Sequence, residues 1–110
     1  MINLARPKLV RARTYDDTAA EGKESDARTN SSVSFSLLDL DLVLLLIQTR
    51  ISKIAIVPMY TMENSMVMHY KIGEQFHPHY DYLDPTKAAH AADMRKFGQR
   101  LATCLIYLNQ

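Results

Sequence analysis

At 110 residues, with 47% hydrophobic and 23% charged residues, the chain has the composition of a soluble globular domain. A chain of this size can build one modest core but not two. Thirteen Lys and Arg against twelve Asp and Glu leave a formal charge of +1, so no basic face is offered to nucleic acid and no acidic tail is marked. Its single cysteine, Cys104, excludes an internal disulfide and a cysteine-rich zinc module.

In chain order, Leu4 to Arg13 reads as the last turn of a helix running into a strand, with Pro7 breaking the helix. This N-terminal stretch carries Arg6 and Lys8 but no apolar run of signal-peptide length. Residues 14–32 are polar with nearly cancelling charges, the pattern of an exposed loop. Val33 to Leu37 is predicted as a short strand. Ser36 followed three residues later by Asp39 matches a capping box, and a helix is predicted from about Asp39 to Ala55. Leu40, Val43, Leu44, Ile47, Ile51 and Ile54 would form its buried stripe. The apolar run Leu42 to Ile47 is far short of the ~20 residues that cross a bilayer, so no membrane contact is expected and a cytoplasmic protein is the default.

Ser65 to Ile72 alternates, with Met66, Met68, Tyr70 and Ile72 on one face and Val67, His69 and Lys71 on the other. The methionines at 59, 62, 66 and 68 read as core filling. Gly73-Glu74 is a turn, and Phe76 to Tyr82 a second strand, since Pro78 drives His77 toward extended backbone. A short helix over Lys87–Lys96 ends at Gly98 and places His90 at the surface. Leu101 to Leu108 is almost wholly apolar and reads as a strand buried on both faces, with Cys104 as a buried thiol.

The chemistry lies at His79 and Asp81. Two residues apart on an extended backbone, an imidazole and a carboxylate point to one face and can share a metal ion. Open positions left over would suit iron(II), or zinc with a bound water. Chance supplies roughly 0.3 such pairs in a chain of this composition, so a surface His–Asp hydrogen bond competes with the metal reading.

The surrounding sequence says more. The run His69-Tyr-Lys-Ile-Gly-Glu-Gln-Phe-His-Pro-His-Tyr-Asp-Tyr-Leu-Asp-Pro85 resembles the metal-site signature of prolyl 4-hydroxylase-like iron(II)/2-oxoglutarate-dependent dioxygenases. Gly98 to Thr103 and Leu105 to Asn109 resemble the next strand of that family, Ala27 to Phe35 its Arg-Thr-Ser segment, and Ala5 to Leu9 the end of its first helix. Ser32 stands where the family usually has Gly, an expected source of strain in a turn.

The resemblance implies an α+β fold: a partial double-stranded β-helix (jelly roll) with helices packed on the major sheet. It implies that His79 and Asp81 are two of three iron ligands. Tyr70 would hydrogen-bond the 2-oxoglutarate carboxylate, and Thr103 would do so from the neighbouring strand. Taken alone, Tyr70 reads as a core aromatic and Thr103 as an ordinary strand residue. The cofactors implied are Fe(II) and 2-oxoglutarate, with ascorbate as a reductant. The reaction is hydroxylation of an unactivated carbon, with peptidyl proline a candidate, consuming O2 and releasing succinate and CO2. The substrate would be a protein or a small molecule. His77 shares the His79 side by alternation but is not a ligand position in the family, and His69 reads as structural.

In the family a distal histidine and a basic residue follow the Tyr-Leu-Asn strand, so residues 1–110 are expected to be an incomplete domain lacking its N- and C-terminal parts. A strand over Leu101–Leu108 would then expose apolar faces and an unpaired edge, and two ligands would hold a divalent ion weakly. The competing expectations are a catalytically inactive fragment or binding remnant of the domain, and a zinc hydrolase using His77, His79 and Asp81.

Overall fold

The computed structural model describes residues 1–15, 22–39 and 41–109, with Leu37 through its backbone alone. Helix α1 (Ile2–Ala5) passes through a tight 3-10 turn at Arg6–Lys8 into strand β1 (Val10–Arg11). Strand β2 (Ser31–Phe35), helix α2 (Leu42–Ala55), strand β3 (Ser65–His69) and helix α3 (Ala88–Phe97) follow. The strands form one antiparallel sheet in the order β1-β2-β3. The class is therefore α+β, as expected.

The register explains the two faces of the sheet. Val33 lies opposite Val67, and Phe35 opposite Ser65. Opposed residues in an antiparallel pair share a face. Val33, Phe35 and Val67 pack with Leu4 and Ala5 of α1 and Leu44 of α2, so both helices cover one side. Ser32 and Ser34 oppose Met68 and Met66 on the other side. Alternation thus behaves as predicted, but Met66 and Met68 are exposed rather than core filling. Ser32 sits inside a paired strand, and Ile56 is the single non-glycine residue at positive φ among the described residues. No strained turn falls at Ser32.

Helix α2 starts later than predicted. The Ser36–Asp39 pair forms, with the Ser36 N–H donating to the Asp39 carboxylate at 2.6 Å, but it closes a 3-10 turn over Leu37–Asp39. The helix is capped instead by Asp41, whose carboxylate accepts the Leu44 N–H at 2.9 Å. The buried stripe differs accordingly. Leu44 and Gln48 are buried, Ile47 and Ile51 half-buried, and Val43 and Ile54 exposed; Leu40 lies outside the described residues. A glutamine in the stripe is tolerated because its amide donates to the Ser65 hydroxyl at 3.1 Å.

The helix ends at Ile56, which adopts φ 55 and returns its N–H to the Ser52 carbonyl. Left-handed backbone crowds a β-branched side chain, and Ile56 is exposed, so its side chain contributes no burial in return. Ile56→Gly is expected to raise stability by about 1 kcal/mol, read as a higher urea midpoint with an unchanged slope.

Three expectations fail further along the chain. The polar stretch 14–32 is not an exposed loop throughout: residues 16–21 lie outside the described residues, Thr14 pairs with Lys23, Asn30 is fully buried, and β2 begins at Ser31. Phe76 to Tyr82 forms no strand: Phe76 alone of these residues makes a bridge, with Arg28, and Tyr82 lies in a bend. Leu101 to Leu108 forms no strand and is exposed, Leu101 and Tyr107 each at 89%, and Cys104 is exposed with it. An apolar run becomes a buried strand only when a neighbour accepts its backbone groups, and none of the described strands does so.

Helix α3 matches the predicted span and stop, with Gly98 returning its N–H to Met94. His90, expected at the surface, is buried. Its Nδ1 accepts the Asp84 N–H at 2.8 Å, and Tyr15 meets its ring edge-on. No helix among the described residues is long and apolar enough to cross a membrane.

Candidate functional site

The site is built on the segment that follows β3. A turn at Lys71–Glu74 reverses the chain, and Gly73 supplies its φ of 84. A Cβ at Gly73 would meet nothing within 4 Å, so the backbone angle alone requires glycine there. The returning segment is stitched to residues 27–29. Thr29 N–H donates to the Gln75 carbonyl at 2.8 Å, Gln75 N–H to the Thr29 hydroxyl at 2.7 Å, and His77 N–H to the Ala27 carbonyl at 2.8 Å.

This anchoring presents His79 and Asp81 side by side. The His79 Nδ1–H donates to the His77 carbonyl at 2.7 Å, because a carbonyl can only accept. That bond fixes the tautomer and leaves the Nε2 lone pair free in the neutral ring. Nε2 lies 3.1 Å from Asp81 Oδ1. At that distance the imidazole nitrogen and the carboxylate oxygen can share one cation. Both side chains are nearly half exposed, at 42% and 46%, so a ligand can reach them.

Thr103 completes the group. Its hydroxyl donates to Asp81 Oδ2 at 2.5 Å, which occupies one carboxylate oxygen and leaves Oδ1 turned toward His79. The Asp81 backbone carbonyl accepts from Arg100 at 3.1 Å. Arg100 in turn forms a two-pronged pair with Glu63 at 2.6 and 2.8 Å. Those bonds outweigh the cost of desolvation and hold the guanidinium firmly charged.

Of the four residues predicted for the site, the structure brings together His79, Asp81 and Thr103. Tyr70 lies just past β3 and is joined to none of them; its hydroxyl is 4.0 Å from the Met68 sulfur. His77 is turned away, its Nε2 3.0 Å from the Gln75 amide. Among the described residues no three His, Cys, Asp or Glu side chains gather in one cluster, so the zinc triad of His77, His79 and Asp81 does not form.

Sequence reasoning missed several supports. Phe76 stacks on the His79 ring with centroids 3.8 Å apart. Gln99 binds the Leu83 backbone through both ends of its amide, accepting at 2.6 Å and donating at 2.7 Å. Tyr15 donates to Asp93 at 2.5 Å and accepts from Arg100 at 3.1 Å. The spacing of Phe76 from His79 was available as a signal; the partners of Tyr15, 78 and 85 residues away, were not.

Burial, and then the bond to Asp93, push the Tyr15 phenol up to about 12. The unfolded chain ionises this tyrosine near pH 10, so stability from the phenol is complete below that value. It is lost as pH rises from about 10 through about 12. In an absorbance titration at 295 nm the Tyr15→Phe chain is expected to lack the latest-titrating phenol of the parent.

No family model matches the chain. Curated proteins do. The chain is 36% identical over 110 residues to prolyl 4-hydroxylase 5 of Arabidopsis thaliana, covering 99% of this chain and 35% of that protein. Probable prolyl 4-hydroxylases 3 and 10 of the same plant are 32% and 33% identical over 109 residues, covering 99% of the chain and 36% of each. The chain thus spans about a third of the length of the curated relatives it matches. The similarity runs through nearly every residue of this chain, to proteins that share one name, and corresponds to one part of each of them.

Proposed function

We propose that the polypeptide carrying this chain is an iron(II)- and 2-oxoglutarate-dependent dioxygenase of prolyl 4-hydroxylase type. It would hydroxylate an unactivated carbon, with peptidyl proline as the candidate substrate, and release succinate and CO2. The observation that carries the reading is the opposed pair of acceptors, His79 Nε2 and Asp81 Oδ1, 3.1 Å apart. They lie in a stretch similar to proteins named for that activity.

The donor set fits the metal. One imidazole nitrogen and one carboxylate oxygen, with positions left open, suit iron(II). The 3.1 Å separation would let His79 Nε2 and Asp81 Oδ1 hold the same ion. With 2-oxoglutarate, the iron would supply the activation of dioxygen, and ascorbate would keep it ferrous. The chain's own residues do the holding. The His77 carbonyl keeps the proton on Nδ1, so Nε2 stays a donor to metal. Thr103 occupies Oδ2, so the carboxylate offers Oδ1 alone. In this reading Tyr70 gives its phenol to the 2-oxoglutarate carboxylate, whereas the Thr103 hydroxyl, expected there too, is committed to Asp81. The third ligand and a basic partner for 2-oxoglutarate come from elsewhere in the polypeptide. The three-stranded sheet is one part of a double-stranded β-helix, in a cytoplasmic protein.

A second reading, a non-catalytic remnant of the domain, is favoured by one observation: among the described residues no third metal-binding side chain joins the pair. The discriminating experiment is 2-oxoglutarate-dependent succinate release by the whole polypeptide against its His79→Ala variant. Release that vanishes in the variant supports the enzyme; no release by either supports the remnant.

A further inference from the structure

We infer that Arg28 and Phe76 form a positioning stack for the His79 imidazole. An imidazole is set by two torsions. The bond from Nδ1 to the His77 carbonyl limits rotation of the ring in its own plane, but it leaves the ring able to tilt about that bond. The tilt decides whether Nε2 meets Asp81. Phe76 closes one face of the imidazole, with centroids 3.8 Å apart and planes inclined by 23°. The ring of Phe76 is itself held from beyond, because the Arg28 guanidinium carbon lies 4.7 Å from its centroid.

Arg28 is unusually well fixed for a surface arginine. Its Nε donates to the Asn30 side-chain oxygen at 3.1 Å, and Asn30 is fully buried. Nη1 donates to the Arg13 carbonyl at 3.3 Å, and Nη2 faces the sulfurs of Met66 and Met68 at 3.2 and 3.6 Å. These contacts tie the guanidinium plane to β3 and to Asn30, the residue just before β2. The rigid sheet is thereby coupled through Arg28 and Phe76 to a histidine on a segment that has almost no ladder of its own. Arg28 acts through Phe76 and touches neither Asp81 nor Thr103, so both stack members are positioning residues. Asp81 has its own device in Thr103; the stack is the counterpart for His79.

The role rests on the metal reading of His79, and the test separates the two. Cobalt(II) is titrated into the full chain and followed by paramagnetic shifts of the His79 ring protons. Phe76→Leu is expected to weaken cobalt binding about tenfold, the usual scale for a partner that orients a ligand. It should also move the His79 ring-proton shifts in the metal-free chain, since the phenyl ring current is gone. Phe76→Tyr keeps the ring and is expected to restore both to within about twofold of the parent. Unchanged Phe35 and Leu83 resonances show that the variants are folded. Phe76→Leu binding cobalt as tightly as the parent, in a chain whose His79→Ala variant does not bind, overturns the positioning role alone. A parent chain that binds cobalt no better than His79→Ala overturns the metal reading, and the positioning role with it.

Discussion

His79→Ala and Asp81→Ala are each expected to abolish divalent-metal binding by the chain, a loss of more than about 100-fold, beyond the range seen when only a supporting partner is removed. The effect is large because, among the described residues, no third metal-binding side chain joins the pair. Removing one member leaves a single exposed group, which competes poorly with water. Removing His79 also strands the His77 carbonyl and the Phe76 face, while removing Asp81 strands the Thr103 hydroxyl. Thr103→Val is milder, because the carboxylate survives and loses only its preferred rotation. Cobalt or manganese titration measures all three. Equal binding by His79→Ala and the parent would overturn the metal reading of the pair.

Phe35→Ala is expected to cost roughly 3–5 kcal/mol, enough to unfold much of the population of a domain whose total stability is of order 5–15 kcal/mol. Among the described residues the buried apolar set is Ala5, Ala12, Phe35, Leu44 and Leu83, and Phe35 is its largest side chain. It is the contact that α1, α2 and the sheet share. Of its buried neighbours, Ala5 is too small to fill the space and Leu44 is anchored on a capped helix. Urea unfolding followed by circular dichroism gives the value. A midpoint shift no larger than that of Val10→Ala, a change at an exposed edge position, would show that the core lies elsewhere.

The legible parts of this fold are those governed by local rules. The span of α3, its stop at Gly98, and the alternation through Met66, Val67 and Met68 depend on neighbours within a few residues. The start of α2 differs from the expectation because Ser36 and Asp41 offer competing caps five residues apart, and the second one opens the helix. Leu101 to Leu108 was misread because hydrophobicity reports the wish to be buried, whereas burial requires a partner strand. The site shows the same division. His79 and Asp81 were legible from their spacing and surroundings, and they converge although the predicted strand does not form. Arg28 stood in a segment already noted for its resemblance, but its place over Phe76 depends on a pairing 48 residues away that no local pattern encodes.

The double amide clasp between Gln99 and Leu83 closes the chain on itself just outside Asp81 and Thr103. Everything from Asp84 to Gly98, helix α3 included, is therefore a detour whose two ends are fastened together. Its ends stay fastened whatever lies between them, yet Tyr15 joins Asp93 of α3 to Arg100, which donates to the Asp81 carbonyl. What the detour carries answers to Tyr15, through His90 and Asp93, so that phenol is the route by which a change in the detour reaches the segment holding Asp81.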